Sequence, residues 1–204
     1  MSKKTRIAVL ASGRGSNFVS IADAIKRGDI NAEIVLLICN KPGAGAIDAA
    51  RFRRIDVNIL ESKGVPAREY DEKLVQILKN CNPDLVVLAG YMKIVGKQIT
   101  DAFPMKIVNI HPSILPSFPG LEAQKQAFDY GVKVAGCTVH FVDEGVDTGP
   151  IILQKVVPVE DDDRLETLSK KILVEEHRLY PHAVKLFSEG KLKVEGRRVL
   201  IEGS

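Results

Sequence analysis

The sequence lacks a cysteine cluster, a surplus of one charge and any long apolar run, and each absence closes a class of answer. Its three cysteines, Cys39, Cys81 and Cys137, stand far apart and are odd in number. That pattern supports neither a disulfide framework nor a cysteine metal site, and it suits a reducing compartment. Basic residues number 29 and acidic residues 26, a formal net charge of +3. Spread evenly, this balance does not suggest a nucleic-acid or membrane surface, although a small anionic ligand fits it. No stretch approaches the roughly 18 apolar residues of a membrane span. The amino-terminal MSKKTRIAVLAS passes straight into a strand-like run instead of a signal-peptide core, so the expected location is the cytoplasm. Repeats with a period of about 20 to 50 residues and low-complexity linkers are absent too.

What is present suffices for one sizeable core: 204 residues, 45% of them apolar and 27% charged, expected to form a single domain over 1–204. Short runs rich in Val, Ile and Leu alternate with helical segments. Strands are expected at 6–12, 33–39, 57–60, 84–90 and 106–111, and helices near 16–28, 45–54, 68–80, 120–130 and 164–188. This is the rhythm of an open, mostly parallel Rossmann-like α/β sheet with helices on both faces. Two further runs, 135–143 and 149–159, flank the turn EGVDTG and are expected to pair antiparallel at the edge. The tail KLKVEGRRVLIE reads as a hairpin, and the acidic run EDDDR at 160–164 as charge complementing the start of the last helix rather than as a metal cluster.

Four stretches can carry chemistry. ASGRGSN at 11–17 follows the first strand and opens the first helix, so Gly13 and Gly15 permit a tight turn, and free N–H groups gather near Ser16 and Asn17. Such an end binds phosphate or merely packs closely. It is neither the dinucleotide fingerprint, since Phe18 replaces the third glycine, nor a P-loop, since no lysine follows. In VNIHPSILPSFPG at 108–120, Asn109 and His111 share a strand face and Pro112 ends the ladder, which brings an amide and an imidazole to the carboxyl edge where open sheets bind ligands. They form either an oxyanion clamp or a structural pair. Asp147, in a glycine-flanked turn, either accepts backbone N–H groups or stabilises an imidazolium at His111. On the last helix Leu165, Leu168, Ile172, Leu179 and Ala183 make an inward stripe that also carries Glu176, a carboxylate in need of a buried partner or a substrate. His140, His177 and His182 read as structural or surface residues.

GRGSN, DLVVLAGYMKIV at 84–95, NIHPSILPSFPG at 109–120 and TVHFVDEGVDTGPIILQ at 138–154 together resemble the phosphoribosylglycinamide formyltransferases, within the wider 10-formyltetrahydrofolate-dependent formyltransferase superfamily. The likeness runs from about residue 5 to about residue 188. It implies the formyltransferase fold and transfer of a formyl group from the co-substrate 10-formyltetrahydrofolate to the amine of glycinamide ribonucleotide, with no metal. By position it implies Asn109, His111 and Asp147 as the catalytic trio, and Gly15, Ser16, Asn17 and Glu176 as contacts to the substrate's phosphate and ribonucleotide. It further implies Arg68, Met92, Lys93, Ile94, Val95, Asp143 and Glu144 as the folate pocket. The implied partners are small molecules, not nucleic acid or membrane, and the chain is expected to be a monomer or homodimer. Leu121-Glu122-Ala123 departs from the family at a place where some members carry a histidine. Methionyl-tRNA formyltransferases and formyltetrahydrofolate hydrolases have an additional domain for which 204 residues leave no room. A non-catalytic binding module is the remaining rival.

Overall fold

Alternation along the first strand sets the layers. In β1 (Thr5–Ala11), Ile7, Val9 and Ala11 pack into one cluster while Ala8 and Leu10 pack into another, and all five are fully buried. A parallel strand covered on both faces requires this. The computed structural model describes residues 3–203. After β1 come α1 (Ser16–Arg27), β2 (Ala32–Cys39), α2 (Gly45–Phe52), β3 (Val57–Ile59), α3 (Ala67–Cys81), β4 (Leu85–Leu88) and α4 (Lys97–Ala102). The chain continues through β5 (Ile107–His111), α5 (Ala123–Tyr130), β6 (Val134–Phe141), β7 (Ile151–Pro158), α6 (Leu165–Ser188), β8 (Leu192–Glu195) and β9 (Arg198–Ile201).

Among the described residues nine strands join one sheet in the order β3-β2-β1-β4-β5-β6-β7-β9-β8. From β3 to β5 neighbours are parallel; β6 runs antiparallel to both β5 and β7, while β7 is parallel to β9. Strand order reverses between β1 and β4, opening a crevice outside the carboxyl ends of β1, β4 and β5. The antiparallel side extends further than expected: β7 is not the edge, because β9 pairs with it at Ile151 and Arg198, and β8 closes the sheet. The tail hairpin turns at Gly196, whose φ is 60°.

Two local differences from expectation have physical causes. Helix α4 has six residues, too few to print a period on the sequence. Helix α5 starts at Ala123 instead of 120 because Phe118, Gly120 and Glu122 hold positive φ, which no helix continues through. Of the acidic run, Asp163 serves the start of α6: its carboxylate accepts from Lys171 Nζ at 2.7 Å, the Glu160 N–H at 2.9 Å and Thr167 Oγ1 at 2.8 Å. These bonds, the Lys171 one foremost, hold its pKa down at about 2. Among the described residues no helix is long and apolar enough to cross a membrane.

Helix α6 lies across the back of the crevice. Its buried stripe is Leu168, Ile172, Glu176, Tyr180 and Ala183, with Leu165 and Leu179 half-buried at its margins. Tyr180 is fully buried, and its Oη stands 3.0 Å from the carbonyl oxygens of both Leu88 and Val108, pinning α6 to β4 and β5. Tyr180→Phe therefore leaves the ring packed but removes this tie; urea unfolding should show a loss of about 0.5–1.5 kcal/mol, with the strand ladders intact by circular dichroism.

Candidate active site

Strand alternation places Asn109 and His111 on one face of β5, and the antiparallel register sets His140 of β6 directly opposite Asn109. The turn between β6 and β7 brings the fourth group. Gly149 there approaches the Phe141 carbonyl so closely that a Cβ would sit 1.8 Å from that oxygen. No side chain fits, and the turn folds tightly over the strand ends. Asp147 takes a positive φ of 55° in this turn and points its carboxylate back at β5 and β6.

Three side chains and one backbone N–H converge on that carboxylate. Asp147 Oδ2 lies 3.2 Å from His111 Nδ1 and accepts the Gly120 N–H at 2.8 Å. Its Oδ1 lies 3.5 Å from His140 Nε2 and 3.4 Å from Asn109 Nδ2. Burial works to raise the Asp147 pKa, but the His140 contact, the Gly120 N–H and the two imidazoles outweigh it, and the acid is held below its ordinary value. Asp147 is ionised at neutral pH. His111 is 5% exposed, with its other nitrogen, Nε2, 2.8 Å from the Phe118 carbonyl oxygen. Both ring nitrogens thus face acceptors, an arrangement that only an imidazolium satisfies on both sides.

His140 belongs to this cluster, although its place inside an apolar strand suggested a structural role. Its Nδ1 lies 2.7 Å from the Phe141 carbonyl and its Nε2 lies 3.3 Å from Asn109 Nδ2. The signal that finds it is pairing: once β5 and β6 are antiparallel, the polar residue opposite Asn109 is His140. His177 and His182 lie elsewhere on α6.

Asn109, His111, His140 and Asp147 line one end of a cavity of about 870 Å³, whose walls also include Met92, Lys93, Ile94 and Val95. Met92 and Ile94 are 64% and 73% exposed, while Val95 is buried in the core beneath them. Lys93 Nζ stands 4.8 Å from the centroid of the Tyr70 ring, and the Tyr91 hydroxyl meets that of Tyr70 at 2.9 Å. Gly145 and Val146 form wall opposite; Asp143 turns inward on its own loop, accepting from Gly145 N and Thr148 Oγ1. Glu144 reaches across to Lys97, and Arg68 pairs with Glu72 on the exposed side of α3.

Gly15, Ser16, Asn17 and Glu176 form a neighbouring cluster outside that wall. Gly15 caps α1 with φ 77°, and an added Cβ would meet Ala46 at 2.7 Å, so only glycine lets α2 close on the turn. Asn17 Nδ2 donates to Glu176 Oε2 at 2.7 Å, while Asn17 Oδ1 is buried without a partner. Burial pushes the Glu176 pKa up, opposed by the Asn17 bond. Ser12 joins the clusters: its Oγ accepts the Met92 N–H at 2.8 Å.

Residues 5–184 match the Formyl transferase family. A phosphoribosylglycinamide formyltransferase of Bacillus subtilis (strain 168) is 44% identical over 181 residues, 88% of this chain and 93% of that protein. The trifunctional purine biosynthetic protein adenosine-3 of Drosophila pseudoobscura pseudoobscura is 43% identical over 193 residues, but this chain spans only 14% of its length. Among solved structures, glycinamide ribonucleotide transformylase 1 of Symbiobacterium toebii superposes with a TM-score of 0.95 at 48% identity, covering 98% of this chain and 95% of that one.

The Asn17–Glu176 pair makes a measurable prediction. Asn17→Ala removes the donor that opposes burial at Glu176 and should cost about 1–3 kcal/mol of stability at neutral pH. Losing the donor raises the Glu176 pKa further, so the charged form becomes costlier to bury. The deficit, read from urea unfolding, should therefore be larger at pH 8 than at pH 5.

Proposed function

This chain belongs to the formyl transferase family, and we propose from that premise that it is a purine-biosynthetic enzyme transferring the formyl group of 10-formyltetrahydrofolate to the amine of glycinamide ribonucleotide. The whole of 1–204 acts as one formyltransferase domain. The observation that carries this reading is a buried amide, imidazole and carboxylate meeting at the end of a cavity of about 870 Å³, large enough for a folate head group.

In this reaction the amine nitrogen bonds to the formyl carbon, the formyl oxygen takes up the electron pair, and the bond to N10 of the folate then breaks. The proton released by the amine ends on N10. Donors aimed at the developing oxyanion supply the largest share of such catalysis. Asn109 Nδ2 is one donor. His111 is the other: Phe118 holds its Nε2–H, so Nδ1–H beside Asp147 is the proton that can be offered and recovered. Asp147, ionised, balances the imidazolium charge, and its Gly120 and His140 contacts keep it aimed. His140 is a positioning residue for Asn109 and Asp147.

In this reading the folate lies between Met92, Ile94 and the loop 143–147, and its anionic tail is met by Lys93 of the cavity wall and by the exposed Arg68, released from Glu72. Free N–H groups at Gly15, Ser16 and Asn17 receive the ribonucleotide's phosphate at the start of α1, and Glu176 meets its polar groups. Bound ligand would also supply a partner for the buried Asn17 Oδ1.

The test mixes the protein with 10-formyltetrahydrofolate and glycinamide ribonucleotide and follows folate absorbance. Turnover should require the amine, and Asn109→Ala or His111→Ala should each lower kcat by about 10²–10³. Formyl loss without the amine would point to hydrolysis, and silence in both mixtures to a binding module; either result overturns the proposal.

A further inference from the structure

The loop from 112 to 122 is fastened unevenly. Its first half is tied to the sheet by two polar side chains, the buried Thr138 and the exposed Gln154. Thr138 Oγ1 donates to the Ser113 carbonyl at 2.7 Å and accepts the Leu115 N–H at 3.1 Å, and Gln154 Nε2 donates to the Leu115 carbonyl at 2.8 Å. Ser113 Oγ then reaches the Ser117 carbonyl at 2.6 Å. Beyond Ser117 such anchors give out, yet this second half gives both catalytic groups a backbone partner. The Phe118 carbonyl holds His111 Nε2, and the Gly120 N–H holds Asp147 Oδ2.

What steadies the second half from outside is α5. Gln126 Nε2 donates to the Leu121 carbonyl at 2.7 Å, and the Phe118 ring stands edge-on to the Tyr130 ring, centroids 5.8 Å apart with planes at 63°. Tyr130 is the last residue of α5 and 79% exposed, and none of the hydrogen bonds described for the fold uses its hydroxyl. Among the described residues its aromatic contact is with Phe118. Phe118 itself sits at φ 54°, a conformation that favours glycine, so its carbonyl keeps its aim only while the ring is held.

We infer that Tyr130 is a positioning residue for His111: through its ring contact with Phe118 it keeps the Phe118 carbonyl on His111 Nε2, which fixes the tilt and tautomer of the catalytic imidazole. The ring, not the hydroxyl, does this. The inference rests on the reading of His111 as the catalytic acid.

Tyr130→Ala, Tyr130→Phe and the control His111→Ala separate the possibilities. Tyr130→Ala should lower kcat roughly 2- to 10-fold, the range covered by loss of one aromatic pair, with KM for both substrates within about twofold of wild type. The 15N resonance of His111 Nε2 should move in the same variant, and Tyr130→Phe should restore rate and resonance. Phe118→Leu should mimic Tyr130→Ala, and the double variant should be no slower than either single one. Unchanged kcat and an unmoved resonance in Tyr130→Ala, beside an inactive His111→Ala, would overturn this inference alone. An active His111→Ala would overturn the reading of the site and this inference with it.

Discussion

One ionised carboxylate organises the crevice. Asp147 is largely withdrawn from water, and a carboxylate there is tolerated only where donors surround it. Those donors are the Gly120 N–H, the Asn109 amide and the imidazoles of His111 and His140, drawn from the 112–122 loop, β5 and β6. Each element is therefore constrained by the same charge. The positive φ of Asp147 and the close packing at Gly149 show how far the backbone of the turn bends to deliver it. With this hub in place, the imidazole of His111 is held between a carboxylate and a carbonyl.

The rest of the rim is built by the switch point. Where strand order reverses at β1 and β4, the Gly-rich turn, the segment 90–95 and the end of β5 come side by side without any long connection. Backbone and hydroxyl contacts then lock them: Ser12 accepts from Met92, the Ser12 N–H donates to the Gly90 carbonyl at 3.1 Å, and Tyr180 ties α6 to β4 and β5. Helix α6 thereby carries Glu176 to Asn17 across 159 residues of sequence separation. The cluster at Asp147 and the pair at Glu176 are thereby set relative to one another by one sheet.

Much of this was legible beforehand. The apolar runs of β1, β2, β4 and β5 announced a buried parallel sheet, Pro112 announced the end of β5, and the spacing of Asn109 and His111 announced a shared face. Other features were not. His140 looks like a core residue until β6 is known to run antiparallel beside β5. Tyr180 looks like one more residue of a helix until its hydroxyl is seen between the carbonyls of two strands. Helix α5 starts later than the sequence pattern indicates because Phe118 and Glu122 adopt positive φ without being glycine, a choice made by their surroundings and not by their own preference.

By itself the sequence determined the alternation of strand and helix, the layers of the core, and the presence of an amide, an imidazole and an acid at predicted strand ends. These follow from periodicity and from residue chemistry, which act over a few neighbours. Only the tertiary structure decided that Asp147 stands between two histidines, that Asn17 meets Glu176, and that the Phe118 carbonyl holds His111. Those contacts depend on strand order, register and the path of a loop, and they are selected by satisfying buried polar groups across distant segments of the chain.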